Sequence, residues 1–294
     1  MPTSLAALIV NGKSRRGQEW FHQAEAKLRS LDIELVHSEL VRNPKLVQSA
    51  VELAIHRQVP VVCVGGGDGT IGAVSEAFIG STSTLGLLPL GTGNSLARDL
   101  AIPAEVNAAC EVIKEGQSRM IDLGSVNGQY FVNVATIGLS TLIAEELDDE
   151  AKKRFGRIVY LVALFKAVAH GRRFSAQIVL PDETLQFRTM QVVIGNGRFH
   201  AGPFPITPDA EIDSGYLAGY SVNSSSRAVL MRYFLRLWHG RHIAMAEVVP
   251  FRAKEARVHT RPIKKITVDG EVGLRTPAEL KIHPAVLAVL APKL

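Results

Sequence analysis

The segment that most constrains this chain is a junction near residue 65. There an unbroken apolar run, Pro60–Val64, ends directly on Gly65-Gly66-Gly67-Asp68-Gly69-Thr70. A short, continuously apolar run suits a strand covered on both faces, the habit of parallel sheets. Glycines without Cβ atoms let backbone N–H groups turn inward and approach phosphate oxygens at the start of a helix. An aspartate in such an anion site implies a cation that arrives with the anion. Mg2+ is the simplest choice, since it is held by one or two carboxylates plus phosphates. The competing reading of the same residues is a tight glycine turn whose aspartate caps a helix.

The surroundings of the junction favour the first reading. Apolar runs alternate with amphipathic stretches over the first hundred or so residues, the pattern of βαβ units and a parallel sheet. Leu5–Val10 reads as the first strand, Gly17–Leu31 as a helix, Ile33–Val36 as the second strand, and a further helix follows Pro44. Helical residues Ile71–Phe78 follow the glycine turn. A strand over Leu85–Leu90 then runs into a second glycine-rich turn, Gly91-Thr92-Gly93-Asn94-Ser95. Two such turns at the carboxyl ends of two strands of one sheet stand where ligands collect in open α/β folds.

After Met120 the pattern changes. Asn127-Gly128 predicts a hairpin between Ile121–Val126 and Tyr130–Ala135. Further strands are expected over Phe174–Leu180, Leu185–Val193, Tyr216–Val222, Ala256–His259, Ile266–Val268 and Leu280–His283, with helical inserts over Ser140–His170 and Ser225–His239. The fold class expected is an N-terminal parallel-sheet α/β domain over residues 1–122, followed by a mainly antiparallel β-sandwich with helical inserts over residues 123–294. The last residues are free to pack back on the first domain. Trp20 and Trp238 fall on apolar helix faces and read as core.

Composition narrows the function classes. The 294 residues are 47% hydrophobic, enough for two domains of ordinary size, and the net charge of +5 comes from scattered rather than clustered basic residues. That argues against a nucleic-acid tail and allows a weak pull toward anionic membranes or phosphorylated ligands. The two cysteines, Cys63 and Cys110, have no metal-site spacing and fit a reducing, cytoplasmic setting. No window holds the roughly 18 uninterrupted apolar residues that a membrane span needs.

Gly-Gly-Gly-Asp-Gly-Thr after an apolar strand resembles the nucleotide-binding signature of diacylglycerol, sphingosine and ceramide kinases, of NAD kinases and, more distantly, of phosphofructokinases. Leu88-Pro89-Leu90-Gly91-Thr92-Gly93-Asn94-Ser95-Leu96-Ala97-Arg98 is similar to the Leu-Pro-x-Gly-Thr-x-Asn-x-x-Ala pattern of the lipid branch. Asn11-Gly12-Lys13-Ser14 stands where that family has Asn-Pro-x-Ser. Gly156-Arg157 with Tyr160-Leu161 resembles its Gly-Arg-x-x-Tyr segment, Gly195-Asn196 with Gly202, Pro208 and Ala210 its middle β region, and Val268-Asp269-Gly270-Glu271 its late Asp-Gly-Glu. The chain is thus similar, nearly end to end, to the bacterial-type diacylglycerol kinase/sphingosine kinase family.

That resemblance implies an ATP-dependent lipid kinase with Mg2+, whose cleft lies between a nucleotide domain and a lipid-receiving sandwich. It places Asn11, Ser14, Ser38, Gly65, Gly66, Gly67, Asp68, Gly69, Thr70, Thr92, Gly93 and Asn94 at the nucleotide. It makes Glu271 the preferred proton acceptor, with Asp269 its close competitor and Asp68 the carboxylate at the bridging Mg2+. Period-two alternation would put Asp269 and Glu271 on one face if the segment stays extended. A second metal site is implied at Asp213, Ser214 and Tyr216, where Ser214 replaces the expected aspartate. The partners implied are ATP and a lipid met by transient, peripheral contact at the membrane surface, with no nucleic acid and with a homodimer left open. An NAD kinase would share the first turn but carries an Asn-Glu motif that is missing here. A nucleotide-regulated lipid-binding module is the non-enzymatic alternative, and Ser214 is the feature that favours it.

Overall fold

The computed structural model describes residues 5–14, 17–146, 172–200 and 203–293. Most of the expected insert Ser140–His170, and with it the Gly156–Leu161 segment, lies outside the described residues. The chain divides into two compact units: Met1–Leu123 with Pro284–Leu294, and Gly124–His283.

The first unit is an α/β fold. Its elements are β1 (Leu5–Asn11), α1 (Gly17–Ser30), β2 (Glu34–Val41), a single 3-10 turn (Pro44–Leu46), α2 (Val47–His56), β3 (Val61–Gly66), α3 (Asp68–Ser75), β4 (Thr84–Pro89), α4 (Ser95–Asp99) and α5 (Val106–Glu115). The strands run parallel in the order β2-β1-β3-β4, and the chain's last strand joins β4 in parallel through Val289 and Leu85. Ala6–Val10 and the whole of β3 are buried, as a sheet covered on both faces requires. The helices bury residues three or four apart: Phe21, Ala24 and Leu28 on α1; Val47, Val51 and Ala54 on α2; Val106, Ala109, Cys110 and Ile113 on α5. Each fully buried valine, leucine or isoleucine contributes about 1.5–3 kcal/mol.

The strand order carries the functional consequence. From β1 the chain goes to one side to make β2 and returns to the other side to make β3. The carboxyl ends of β1 and β3, Asn11 and Gly66, therefore flank the point where the winding reverses, the place where open α/β sheets receive ligands.

β5 (Gln117–Val126) leads into the second unit, a sandwich of β6 (Gln129–Phe131), β7 (Val134–Gly138), α6 (Leu139–Glu146), β8 (Phe174–Val179), β9 (Thr184–Thr189), β10 (Gln191–Gly195), β11 (Phe199–His200), β12 (Phe204–Pro205), β13 (Leu217–Val222), α7 (Arg227–Leu237), β14 (Val248–Ala253), β15 (Glu255–Arg261), β16 (Lys265–Val268), β17 (Glu271–Arg275) and the start of β18 (Ala278–Ala291). One antiparallel layer runs β18-β15-β8-β9 and the other β14-β13-β10-β7-β16-β17. Alternation along β15, with Ala256, Val258 and Thr260 buried and their neighbours exposed, turns one face inward. Phe131, Phe174, Ile178, Val258 and Leu280 from one layer meet Ile137, Ile194, Phe251 and Ile266 from the other in one core. The far side of the second layer lies under α7, which buries Leu230, Tyr233 and Leu237 against Val193, Tyr220 and Val222. The α/β unit followed by an antiparallel sandwich agrees with the fold class read from sequence.

Several expectations differ in detail. Tyr130–Ala135 is two strands, because the Asp269 carboxylate takes the amides of Val132, Asn133 and Val134 away from any ladder. Leu185–Val193 is also two strands, broken where the Met190 amide bonds to Val222 O. Trp238, expected in the core, is 52% exposed. Among the described residues no helix is long and apolar enough to cross a membrane.

Candidate active site

In the first unit the two glycine turns touch backbone to backbone. A Cβ on Gly67 would sit 3.1 Å from the Gly91 Cα, and one on Gly91 would sit 2.5 Å from the Gly67 Cα and 2.8 Å from Asn94 Oδ1. The Leu90 amide donates to Gly66 O at 2.9 Å, which fixes the second turn beside the first. A Cβ on Gly66 would collide with the Thr70 side chain, so the chain can double back there only without one. Gly69 is the exception. A Cβ there meets nothing within 4 Å among the described residues, so the first turn of α3 faces open space among them at that point. The leading amides of a helix have no acceptor within it, and they make this end of α3 attractive to an anion.

Side chains tie the neighbouring elements to this cradle. Asn11, the last residue of β1, donates through Nδ2 to Thr70 Oγ1 at 2.9 Å, and its Oδ1 accepts the Lys13 amide at 3.0 Å. Ser14 closes the same turn by donating through its hydroxyl to Asn11 O. Asn94 adopts a left-handed conformation, φ 51°, and holds the second turn: its Oδ1 accepts the Gly91 amide at 2.9 Å and its Nδ2 donates to Pro89 O and Gly91 O. Thr92 is exposed on that turn, and Gly93 O accepts from Arg98 Nε at 3.2 Å. Ser38 lies within β2 opposite Leu8, and its buried hydroxyl has no hydrogen-bond partner among the described residues.

Asp68 joins the two turns. Its Oδ1 accepts the Ser95 amide at 2.6 Å, and its Oδ2 makes a long contact of 3.4 Å with Ser95 Oγ. Burial raises its pKa above the ordinary carboxylate value, while the amides of Ser95, Asn94 and Leu96 pull it down. Asp68 therefore does cap a short helix, as the structural reading of the sequence allowed. The carboxylate is only partly buried, and in such a setting it gains from a nearby cation. The donor set fits Mg2+ held by one carboxylate and phosphate oxygens.

In the second unit Asp269 and Gly270 are the two central residues of the β16–β17 hairpin, with φ 46° and 92°. The segment is a turn and not an extended strand, so the expected period-two alternation does not place the two carboxylates. Asp269 is directed inward: Oδ2 accepts the Val132 amide at 2.7 Å, and Oδ1 accepts Asn133 at 3.0 Å and Val134 at 2.9 Å. Its own amide donates to Val134 O at 2.9 Å. Glu271 opens the return strand, exposed, and among the described residues its carboxylate has no partner. Of the two, Glu271 is the one available to take a proton.

The implied second metal site does not fit a cation. Asp213 is exposed, and the Ser214 hydroxyl donates to Tyr216 O at 3.4 Å. The ring of Tyr216 carries the Arg252 guanidinium and the Lys254 ammonium, each 5.3 Å from its centroid. Arg252 also pairs with Asp209 at 3.8 Å, so fixed positive charge already occupies this stretch and disfavours a divalent ion. Among the described residues no group of three or more His, Cys, Asp or Glu side chains could hold a metal by itself.

Comparison with known proteins identifies the family. Residues 5–126 match the diacylglycerol kinase catalytic domain, and residues 133–291 match the YegS C-terminal NAD kinase beta sandwich-like domain. The chain belongs to the diacylglycerol kinase family.

It is a lipid kinase. Proteins named diacylglycerol kinase from Staphylococcus aureus strains bovine RF122 / ET3-1 and JH9 are 29% identical over 243 residues, covering 82% of this chain and 77% of theirs. A crystal structure of a candidate diacylglycerol kinase from Bacillus anthracis strain Sterne has the same fold, with a TM-score of 0.82, 23% identity and coverage of 99% of this chain and 97% of that one. Within this diacylglycerol kinase family fold, sequence reasoning overlooked two parts of the machinery. The Ser95 amide is the partner of Asp68, and the Val132–Val134 loop is the partner of Asp269. Both contacts join residues far apart in the chain through backbone amides, which leave no mark on side-chain identity.

Proposed function

We propose that this kinase binds ATP on the glycine cradle of the first unit and transfers the γ-phosphate to the hydroxyl of a diacylglycerol-like lipid, glycerolipid or long-chain base. The observation that carries the reading is the contact of Gly67 with Gly91 at the ends of β3 and β4, next to the winding reversal between β1 and β3, with Gly69 opening to space beside it. Helix-end amides and bare glycine backbone there suit a chain of phosphates. Asn11, Ser14, Thr70 and Thr92 line the same strand ends, and the unpartnered Ser38 hydroxyl is a further hydrogen-bonding group for the nucleotide. Asp68 is the residue that would hold Mg2+, which when bound would supply charge neutralisation at the phosphates. Phosphoryl transfer asks the protein mainly for positioning and charge, plus removal of one proton from the attacking hydroxyl. Glu271 accepts that proton, and Asp269 sets the hairpin that presents Glu271. The enzyme would act from the cytoplasm on lipid in a membrane surface.

The test is incubation with γ-labelled ATP and Mg2+ against diacylglycerol, monoacylglycerol, phosphatidylglycerol, sphingosine, undecaprenol and NAD. Label is expected in one lipid and not in NAD. Label in NAD alone would make the chain an NAD kinase, and tight nucleotide binding with no label in any lane would make it a lipid-binding regulator.

A further inference from the structure

Helix α7 buries one face and leaves another apolar face open. Leu230, Tyr233 and Leu237 are buried beneath it, whereas Met231, Leu235 and Trp238, also three and four residues apart, are 43%, 67% and 52% exposed. Side chains at that spacing form one stripe along the helix. Among the described residues the surroundings of the stripe are predominantly basic. Arg227, Arg232, Arg236 and Arg241 are all exposed around it, and no Asp or Glu occurs between Ser214 and Ala246. Arg232 pairs with Glu247 at 2.7 Å, and the other three arginines make no ion pair among the described residues.

We propose that α7 is the docking face of this kinase for an anionic lipid bilayer, with Met231, Leu235 and Trp238 entering the headgroup region and the arginines meeting lipid phosphates. The proposal rests on the lipid-kinase reading, since an enzyme whose substrate lies in a bilayer has to reach it. A helix with an apolar stripe of leucine and tryptophan beside arginines is the composition of an interfacial helix, and tryptophan favours the membrane–water boundary. A second copy of the chain fits worse. Two-fold pairing of this face would set arginines against arginines, and three side chains fall short of the roughly 1,200 Å² that a stable interface buries. Trp238 also packs edge-to-face with Phe204, ring centroids 5.5 Å apart, which holds the indole at the surface.

Flotation of the full chain with vesicles of phosphatidylcholine alone, and of phosphatidylcholine with phosphatidylglycerol in equal parts, tests this. Binding is expected only to the anionic vesicles, with a blue shift of tryptophan emission that the Trp238→Phe variant loses. Removing Arg227 and Arg236 as glutamines should weaken partitioning by about fivefold per arginine. The exposed double variant Met231→Ser/Leu235→Ser should weaken it while circular dichroism stays unchanged. Equal flotation on neutral vesicles, undiminished flotation of both double variants, or a dimer that the serine variant dissociates without loss of flotation would each overturn the proposal. Turnover of a short-chain, water-soluble diacylglycerol should be unaffected in all these variants. If that lipid is never phosphorylated while flotation follows the expected pattern, the substrate assignment fails and the docking face stands.

Discussion

The Asp68 carboxylate accepts the Ser95 amide at 2.6 Å, which ties the first glycine turn to the second across 27 residues of sequence. Beside this structural duty we propose a second, separable one: presenting charge to a nucleotide-bound cation. Asp68→Asn keeps an oxygen for the Ser95 amide but removes the charge. It should leave thermal stability within about 0.5 kcal/mol and lower turnover about tenfold or more. Asp68→Ala should lose activity equally and also about 1 kcal/mol of stability, the usual loss when a cap is removed. Melting temperatures alongside initial rates separate the two, and wild-type turnover in Asp68→Asn would remove the charge role.

Asp269 and Glu271 should part in the opposite way. Asp269→Ala deprives three amides of their acceptor, and the expected loss is about 3 kcal/mol in a urea titration. The Glu271 side chain makes no hydrogen bond or ion pair among the described residues, so the Glu271→Gln unfolding curve should match wild type while kcat falls by about 10² or more. A stable Asp269→Ala protein, or an active Glu271→Gln enzyme, would contradict the division of labour proposed here.

Gly69 offers a test of where the phosphates lie. Because a Cβ there meets nothing within 4 Å, Gly69→Ala should fold normally. If the triphosphate lies against that backbone, the added methyl group should raise the KM for ATP about tenfold, roughly 1.4 kcal/mol of lost binding, with little change in the lipid's KM. An unchanged KM for ATP would move the nucleotide elsewhere.

Two buried histidines make the second unit acid-sensitive. His200 is lowered to about 4 by burial and then by the charge of His242, and His242 is lowered to about 4 by burial, partly opposed by its bond to Ile206 O. Both are depressed from an ordinary value of 6.5. Below that value the unfolded chain takes up protons that the folded one refuses, so the stability present at neutral pH is lost as pH falls from about 6.5 toward 4. Each histidine contributes about 1.4 kcal/mol per pH unit across that window. Denaturant midpoints measured at neutral and mildly acidic pH should show the drop, and His242→Asn should flatten it. A midpoint constant over that range would rule this out.

Much of the fold could be read from residue type. Asn127-Gly128 announced its hairpin, and both residues have positive φ, 50° and 86°, as a two-residue turn between twisted strands requires. Gly66, Gly67 and Gly91 sit where a Cβ would strike a neighbour, so the glycine turns were equally legible. The final strand was not. Only Leu280–His283 was expected, yet the strand runs from Ala278 to Ala291. Pro284 reads as a stop, and it is tolerated because Ala285 takes a left-handed φ of 51° while its amide is received by Asp122 Oδ1 at 2.9 Å.

The sequence alone determined the local geometry that depends on missing side chains and on periodicity: the glycine turns, the hairpins, the class of each unit and the family. These are properties of a few adjacent residues, and sterics fixes them within a few ångströms of chain. The tertiary structure decided what each polar residue meets, since partners such as Ser95 for Asp68 and the Val132–Val134 amides for Asp269 come from distant backbone. It also decided which face of α7 is covered. The apolar pattern of that helix runs nearly all the way round, and only the packing of Leu230, Tyr233 and Leu237 on the sheet leaves Leu235 and Trp238 in solvent.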